Sequence, residues 1–184
     1  MFISPKQICY DSQLFQQAAA EEFDPDYHTE DKAIEDAESL YEAGQGQWFG
    51  TNESDLFKVI ALAPREHLFA INEQYADKYG YTIVKAMEDE LSGTAEEAAI
   101  FTCNMRLKPY KSIAKLIKSA CAGFGTDDLL LMCCIVRYQD IMGHVSMAHE
   151  EMFEKSIQDR IQSECSGSFE TLLLALMDAV SPEE

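Results

Sequence analysis

Residues 125–135 read "GTDDLLLMCCI", and residues 50–60 read "GTNESDLFKVI". Each joins a Gly-Thr turn to acidic or amide residues that suit a helix start, followed by apolar residues at helical spacing. A second matched pair lies downstream: "EDELSGTAEEAAI" from residue 88 and "QSECSGSFETLLL" from residue 162. Thr51 and Thr126 are 75 positions apart, and Ser92 and Ser166 are 74 apart. Self-similarity at a fixed spacing marks a repeated structural unit. The chain therefore holds two copies of one unit end to end, with a one-residue slip between them.

Outward from these turns, the hydrophobic spacing stays helical. "AIEDAESLYEA", "YTIVKAMEDEL" and "KSIAKLIKSAC" place apolar residues three and four apart, and no long alternating run predicts a strand. Gly, Pro and Ser-Gly breaks at 24–31, 43–51, Pro64, Ser92-Gly93, Pro109, 122–126 and Ser166-Gly167 cut the chain into short helices. Five are predicted in each copy. They fall near 31–43, 52–62, 65–78, 81–90 and 94–107, and near 110–121, 127–136, 138–153, 155–163 and 168–180. The fold class is all-α. Residues 1–30 form an N-terminal stub, with one helical stretch "SQLFQQAAAEEF", and an acidic linker; the units occupy 31–107 and 108–184.

Bulk composition narrows the functions open to such a chain. It has 184 residues, 47% of them hydrophobic, enough to build a core. Its formal net charge is -19 with no cluster of Lys and Arg, so direct contact with nucleic acid or an anionic lipid surface is repulsive. An anionic partner needs a cation in between. The six cysteines show neither paired disulfide spacing nor a C-x-x-C zinc pattern, which predicts free thiols in a reducing, cytoplasmic setting. The longest apolar runs, around 129–136 and 172–177, fall far short of the ~20 residues that span a bilayer.

The loop "LYEAGQGQWFGT" with "EDELSG", and the loop "LIKSACAGFGT" with "QSECSG", together resemble the annexin repeat. The first copy is similar to the third repeat of that family, whose loop carries a tryptophan, and the second is similar to the fourth. The resemblance covers about residues 31–180. It implies five-helix repeats in a right-handed superhelical arrangement, and calcium-dependent binding to acidic phospholipid headgroups rather than catalysis. The chemistry agrees: calcium takes roughly 6–8 oxygen ligands, and a glycine-rich turn bares carbonyls that a bidentate carboxylate can complement. By the resemblance, the second copy would hold Ca2+ with the carbonyls of Cys121, Gly123 and Gly125 and the carboxylate of Glu164. The first would use Gly44, Gln47 (or Gly46 or Trp48 in its place) and Gly50, with Glu90. An extra residue, Phe49, stands between Trp48 and the Gly-Thr turn, and Ala63 stands where the second copy has Arg137.

Trp48 and Phe49 form an aromatic pair in a polar loop, suited either to the bilayer interface or to packing on neighbouring helices. Thr51 with Glu53, and Thr126 with Asp128, read first as helix caps and second as minor calcium positions. "DPDYHTEDKAIE" at 24–35 has the alternating oxygens of an EF-hand loop but carries Thr29 where that loop needs glycine, so it reads as an acidic linker. His144 and His149 are five apart and do not share a helix face, and no local signature supports a Cys-His nucleophile. The leading expectation is a module that sits peripherally on membranes when calcium is present. The alternative is an annexin-fold scaffold or cytoskeletal interaction protein with weak or lost calcium binding. Annexins usually carry four repeats, so two imply either missing N-terminal repeats or a homodimer.

Overall fold

The computed structural model describes residues 22–45, 59–123 and 125–179. Among these residues the chain is helical, with no strand. It divides into two compact units, Met1–Leu107 and Lys108–Glu184. The first contains α1 (Glu30–Gln45), a helical segment at 59–62, α2 (Arg65–Tyr79), α3 (Ile83–Glu90) and α4 (Gly93–Leu107). The second contains α5 (Pro109–Ala120), α6 (Asp128–Arg137), a 3-10 turn (Gln139–Ile141), α7 (Met142–Phe153), α8 (Ile157–Glu164) and α9 (Gly167–Asp178). The helix predicted within residues 1–23, and most of the one predicted from residue 52, lie outside the described residues.

Helical periodicity selects the core of each unit. Ala33, Ala37 and Leu40 bury one face of α1, Leu68, Ile71 and Tyr75 one face of α2, and Ala99, Cys103 and Leu107 one face of α4. In the second unit Ile113, Ala114, Ile117 and Ala120 of α5 are buried, as are Val145 and Ala148 of α7. Full burial of a Leu or Ile side chain stabilises by roughly 1.5–3 kcal/mol, so these stripes dominate the folding energy.

Helix ends repeat as closely as helix faces do. Thr82 accepts from the Lys85 N–H at 3.3 Å to open α3, and Ser156, 74 positions on, accepts from the Asp159 N–H at 3.0 Å to open α8. Each cap follows a left-handed residue that stops the preceding helix: Gly80 at φ 82° and Glu154 at φ 51°. The first is a glycine and carries no steric cost there; the second has a Cβ and does.

Several boundaries differ from the expected ones. The helix predicted over 138–153 is interrupted, because Tyr138 (φ -109°, ψ 24°) and Ile141 (φ -115°, ψ 8°) leave helical geometry and tighten the chain into the 3-10 turn. Buried Tyr138, Met142 and Val145 keep the apolar spacing running through the break, which hides it from a periodicity argument. Helix α3 begins at Ile83 rather than 81, since Thr82 is its extended cap. Helix α1 runs to Gln45 rather than 43, so Gly44 is helical.

Arg106 reaches from α4 to the end of the 59–62 helix. Only 7% exposed, its guanidinium donates to the Ile60 carbonyl, while its own carbonyl accepts from Arg65 Nε at 2.9 Å. The end of the 59–62 helix thus receives its cation from α4, where a positive charge meets the negative end of the helix dipole.

Candidate metal sites

In the second unit, α5 ends at Ala120 and the Asp127 N–H closes back onto the Ala120 carbonyl at 2.7 Å. Residues 121–123, 125 and 126 lie between these points. Gly123 (φ 97°) and Gly125 (φ 87°) both sit in the left-handed region, and a Cβ added at either would meet no atom within 4 Å. Glycine is needed here for backbone conformation and not for space. Phe124 lies outside the described residues. Among the described residues the carbonyls of Cys121, Gly123 and Gly125 accept no backbone hydrogen bond.

Asp127, not Thr126, caps α6, accepting from the Leu130 N–H at 3.0 Å, while the Thr126 hydroxyl donates to Asp128. Glu164 is the last residue of α8 and is exposed. Its charge is felt at the glycine loop. Burial first, then Cys165, and also Glu164, push the Cys121 thiol up to about 11, against the opposing charges of Arg160 and Lys155. The neighbouring Cys165 thiol is likewise raised, by burial and then by Asp128, Glu164 and Glu170. Both thiols stay protonated at neutral pH, so neither supplies a thiolate.

The first unit brings its two expected partners close together. A Cβ built on Gly44 would lie 3.5 Å from Glu90 Cγ and 4.0 Å from its Cδ, so the glutamate lies directly against the last turn of α1. The last four carbonyls of any helix lack partners within it, and Gly44 belongs to that set in α1. Gln47, Gly50, Trp48 and Phe49, with Gly46, Thr51 and Glu53, lie outside the described residues.

These donors are peptide carbonyls and single carboxylates, hard oxygens of the kind calcium prefers over softer metals. Among the described residues no three His, Cys, Asp or Glu side chains converge as a metal cage. An ion held here would therefore lean on the backbone. His149 is fully buried, with Nδ1 against the Lys155 carbonyl at 2.7 Å and Nε2 accepting from Arg160 Nε at 3.0 Å, a structural role the sequence did not reveal.

Comparison with known proteins agrees with this architecture. The annexin family model matches residues 35–100 and 112–176. Annexin A13 of Schistosoma japonicum is 34% identical over 146 residues, covering 79% of this chain and 41% of that protein. Annexin A4 of Mus musculus is 33% identical over 145 residues, covering 77% and 44%. The chain thus spans less than half the length of these relatives. The solved structure of annexin III superposes with a TM-score of 0.81 at 23% identity, over 97% of this chain and 56% of that one. A calcium-bound annexin (Sm)1 matches with a TM-score of 0.73 at 25% identity, over 81% and 40%. With two repeats matched over most of its length, the chain belongs to the annexin family.

Proposed function

We propose that the chain binds anionic phospholipid through calcium, held in the second unit by the carbonyls of Cys121, Gly123 and Gly125 with Glu164, and in the first by Gly44, Gln47 and Gly50 with Glu90. Annexin membership implies calcium-dependent phospholipid binding in general. The proximity of the Glu90 side chain to Gly44 is the observation that supports the residue-level assignment, because it sets a carboxylate beside a helix end 46 positions away in sequence. When bound, the ion supplies positive charge and open coordination positions for headgroup phosphate. The chain's own residues bare peptide oxygens at a tight bend and bring one carboxylate to it. Trp48 and Phe49 are assigned to the bilayer interface, where an aromatic ring is favourably placed. No catalytic step is assigned.

Pelleting with vesicles of mixed phosphatidylserine and phosphatidylcholine tests this directly. The native chain should pellet with calcium and return to the supernatant on chelation, and E90Q/E164Q should lose at least about tenfold in apparent affinity, since each removes a charged ligand from a hard cation. A double variant that pellets like the native chain would remove the proposed sites. A native chain indifferent to calcium would favour the scaffold alternative.

A further inference from the structure

Helix α6 is apolar at every position between Asp128 and Arg137. Leu130, Leu131, Cys134 and Ile135 are buried inside the second unit, where α6 packs against α5 and α9. Leu129, Cys133 and Val136 recur at helical spacing on the opposite face, and all three are exposed; Leu129 is 53% and Val136 52% open to solvent. A helix apolar all round is ordinarily covered all round.

We propose that this stripe is the surface through which two copies of the chain associate about a two-fold axis, α6 lying antiparallel on α6 of the second copy. The segment "DLLLMCCIVR" is complementary to itself under that operation. Asp128 falls opposite the partner's Arg137, Leu129 opposite the partner's Val136, and Cys133 lies beside the axis. Two-fold symmetry makes each contact twice, so one helix supplies two ion pairs and both sides of an apolar seam. A parallel pairing would set Asp128 on Asp128 and Arg137 on Arg137, which like-charge repulsion disfavours. Without calcium, a headgroup surface fits less well, because the exposed Asp128 carboxylate would face phosphate. The seam is about 15 Å long, with three side chains from each copy, which places it at the weak end of specific interfaces. The chain's net charge of -19 further opposes association at low salt. None of this depends on calcium.

Sedimentation velocity of the 184-residue chain without calcium, in reductant and at about 0.3 M salt, is the first test, the salt being chosen to screen that net charge. The mass should move from one copy toward two as concentration rises, and L129K/V136K should remain at one copy. R137D should weaken association about tenfold, a loss of the size expected for close charge pairs, and D128R/R137D should recover it. Covalent trapping gives an independent reading. In a C9S/C165S chain, diamide takes two electrons and two protons from a pair of Cys133 thiols, forming the disulfide as its N=N bond becomes a hydrazide. The trapped dimer should appear quickly in that chain and at least about tenfold more slowly when L129K/V136K is added. A native chain that stays at one copy throughout, or an L129K/V136K chain that associates or traps as readily as the native one, overturns the proposal. A loss of vesicle pelleting in L129K/V136K with its mass behaviour unchanged also overturns it, and assigns the stripe to lipid.

Discussion

At the scale of single residues, the two copies agree until one of them accepts a cost. Gly80 and Glu154 end equivalent helices in the same left-handed conformation, but only Glu154 carries a side chain there, at φ 51°. Replacing it with glycine relieves that strain while loosening the unfolded chain, for a net gain of about 0.5–1 kcal/mol. Amide exchange in α8 should slow accordingly in E154G, and an unchanged or faster exchange would show that the strain is absorbed elsewhere. Arg106 makes the opposite case. Its guanidinium is buried and engaged with the Ile60 carbonyl, so R106M leaves that carbonyl without its donor and should cost roughly 1–3 kcal/mol. The check is the midpoint of urea unfolding of the chain, followed by circular dichroism. Nothing in the local sequence around Arg106 announces this bond, because its acceptor lies 46 positions away.

At the scale of elements, the turn from α7 to α8 is latched by His149. Its Nδ1–H donates to Lys155 O and its Nε2 accepts from Arg160, a geometry open only to the neutral ring. Burial, with Arg160 and Lys155 nearby, depresses its pKa despite the favourable carbonyl bond. The unfolded ring titrates near 6.5. The folded state therefore binds its proton later, and the stabilisation is fully present above that pH and diminishes as pH falls below it toward the folded pKa. Urea midpoints of the second unit should drop between about pH 7 and pH 5.5, and H149Q should flatten that slope. An equal slope in the variant would assign the loss to other groups. The sequence marked His149 only as a helical histidine out of step with His144. The helix itself was legible from its periodicity, whereas the latch needed the turn to bring Lys155 and Arg160 back upon it.

At the scale of the whole molecule, an acidic chain that meets an acidic surface through an ion should respond to solution conditions in a distinctive way. Raising salt several-fold shortens the Debye length but leaves close ion coordination largely intact, so vesicle binding should weaken only modestly with added salt and vanish with chelator. Binding that falls steeply with salt yet survives chelation would point to direct electrostatic attraction, which the net charge of -19 opposes. Calcium and vesicles together should also stabilise the native state by mass action, about 2.7 kcal/mol at a free ligand level 100 times the dissociation constant.

What the sequence by itself determined is whatever depends on neighbours within a turn or two. The helical stripes and the Gly-Thr bend at 125 follow from 3.6-residue periodicity and from residue types that favour a turn and a helix start. The doubled spacing then exposed the repeat. Only the tertiary structure decided that Glu90 rests on Gly44, that Arg106 serves Ile60, and that α6 keeps Leu129 and Val136 in solvent although every residue between its charged ends is apolar. Those facts join residues dozens of positions apart, or depend on which side of a helix its neighbours cover. Packing geometry decides them, and no short window of residues encodes it.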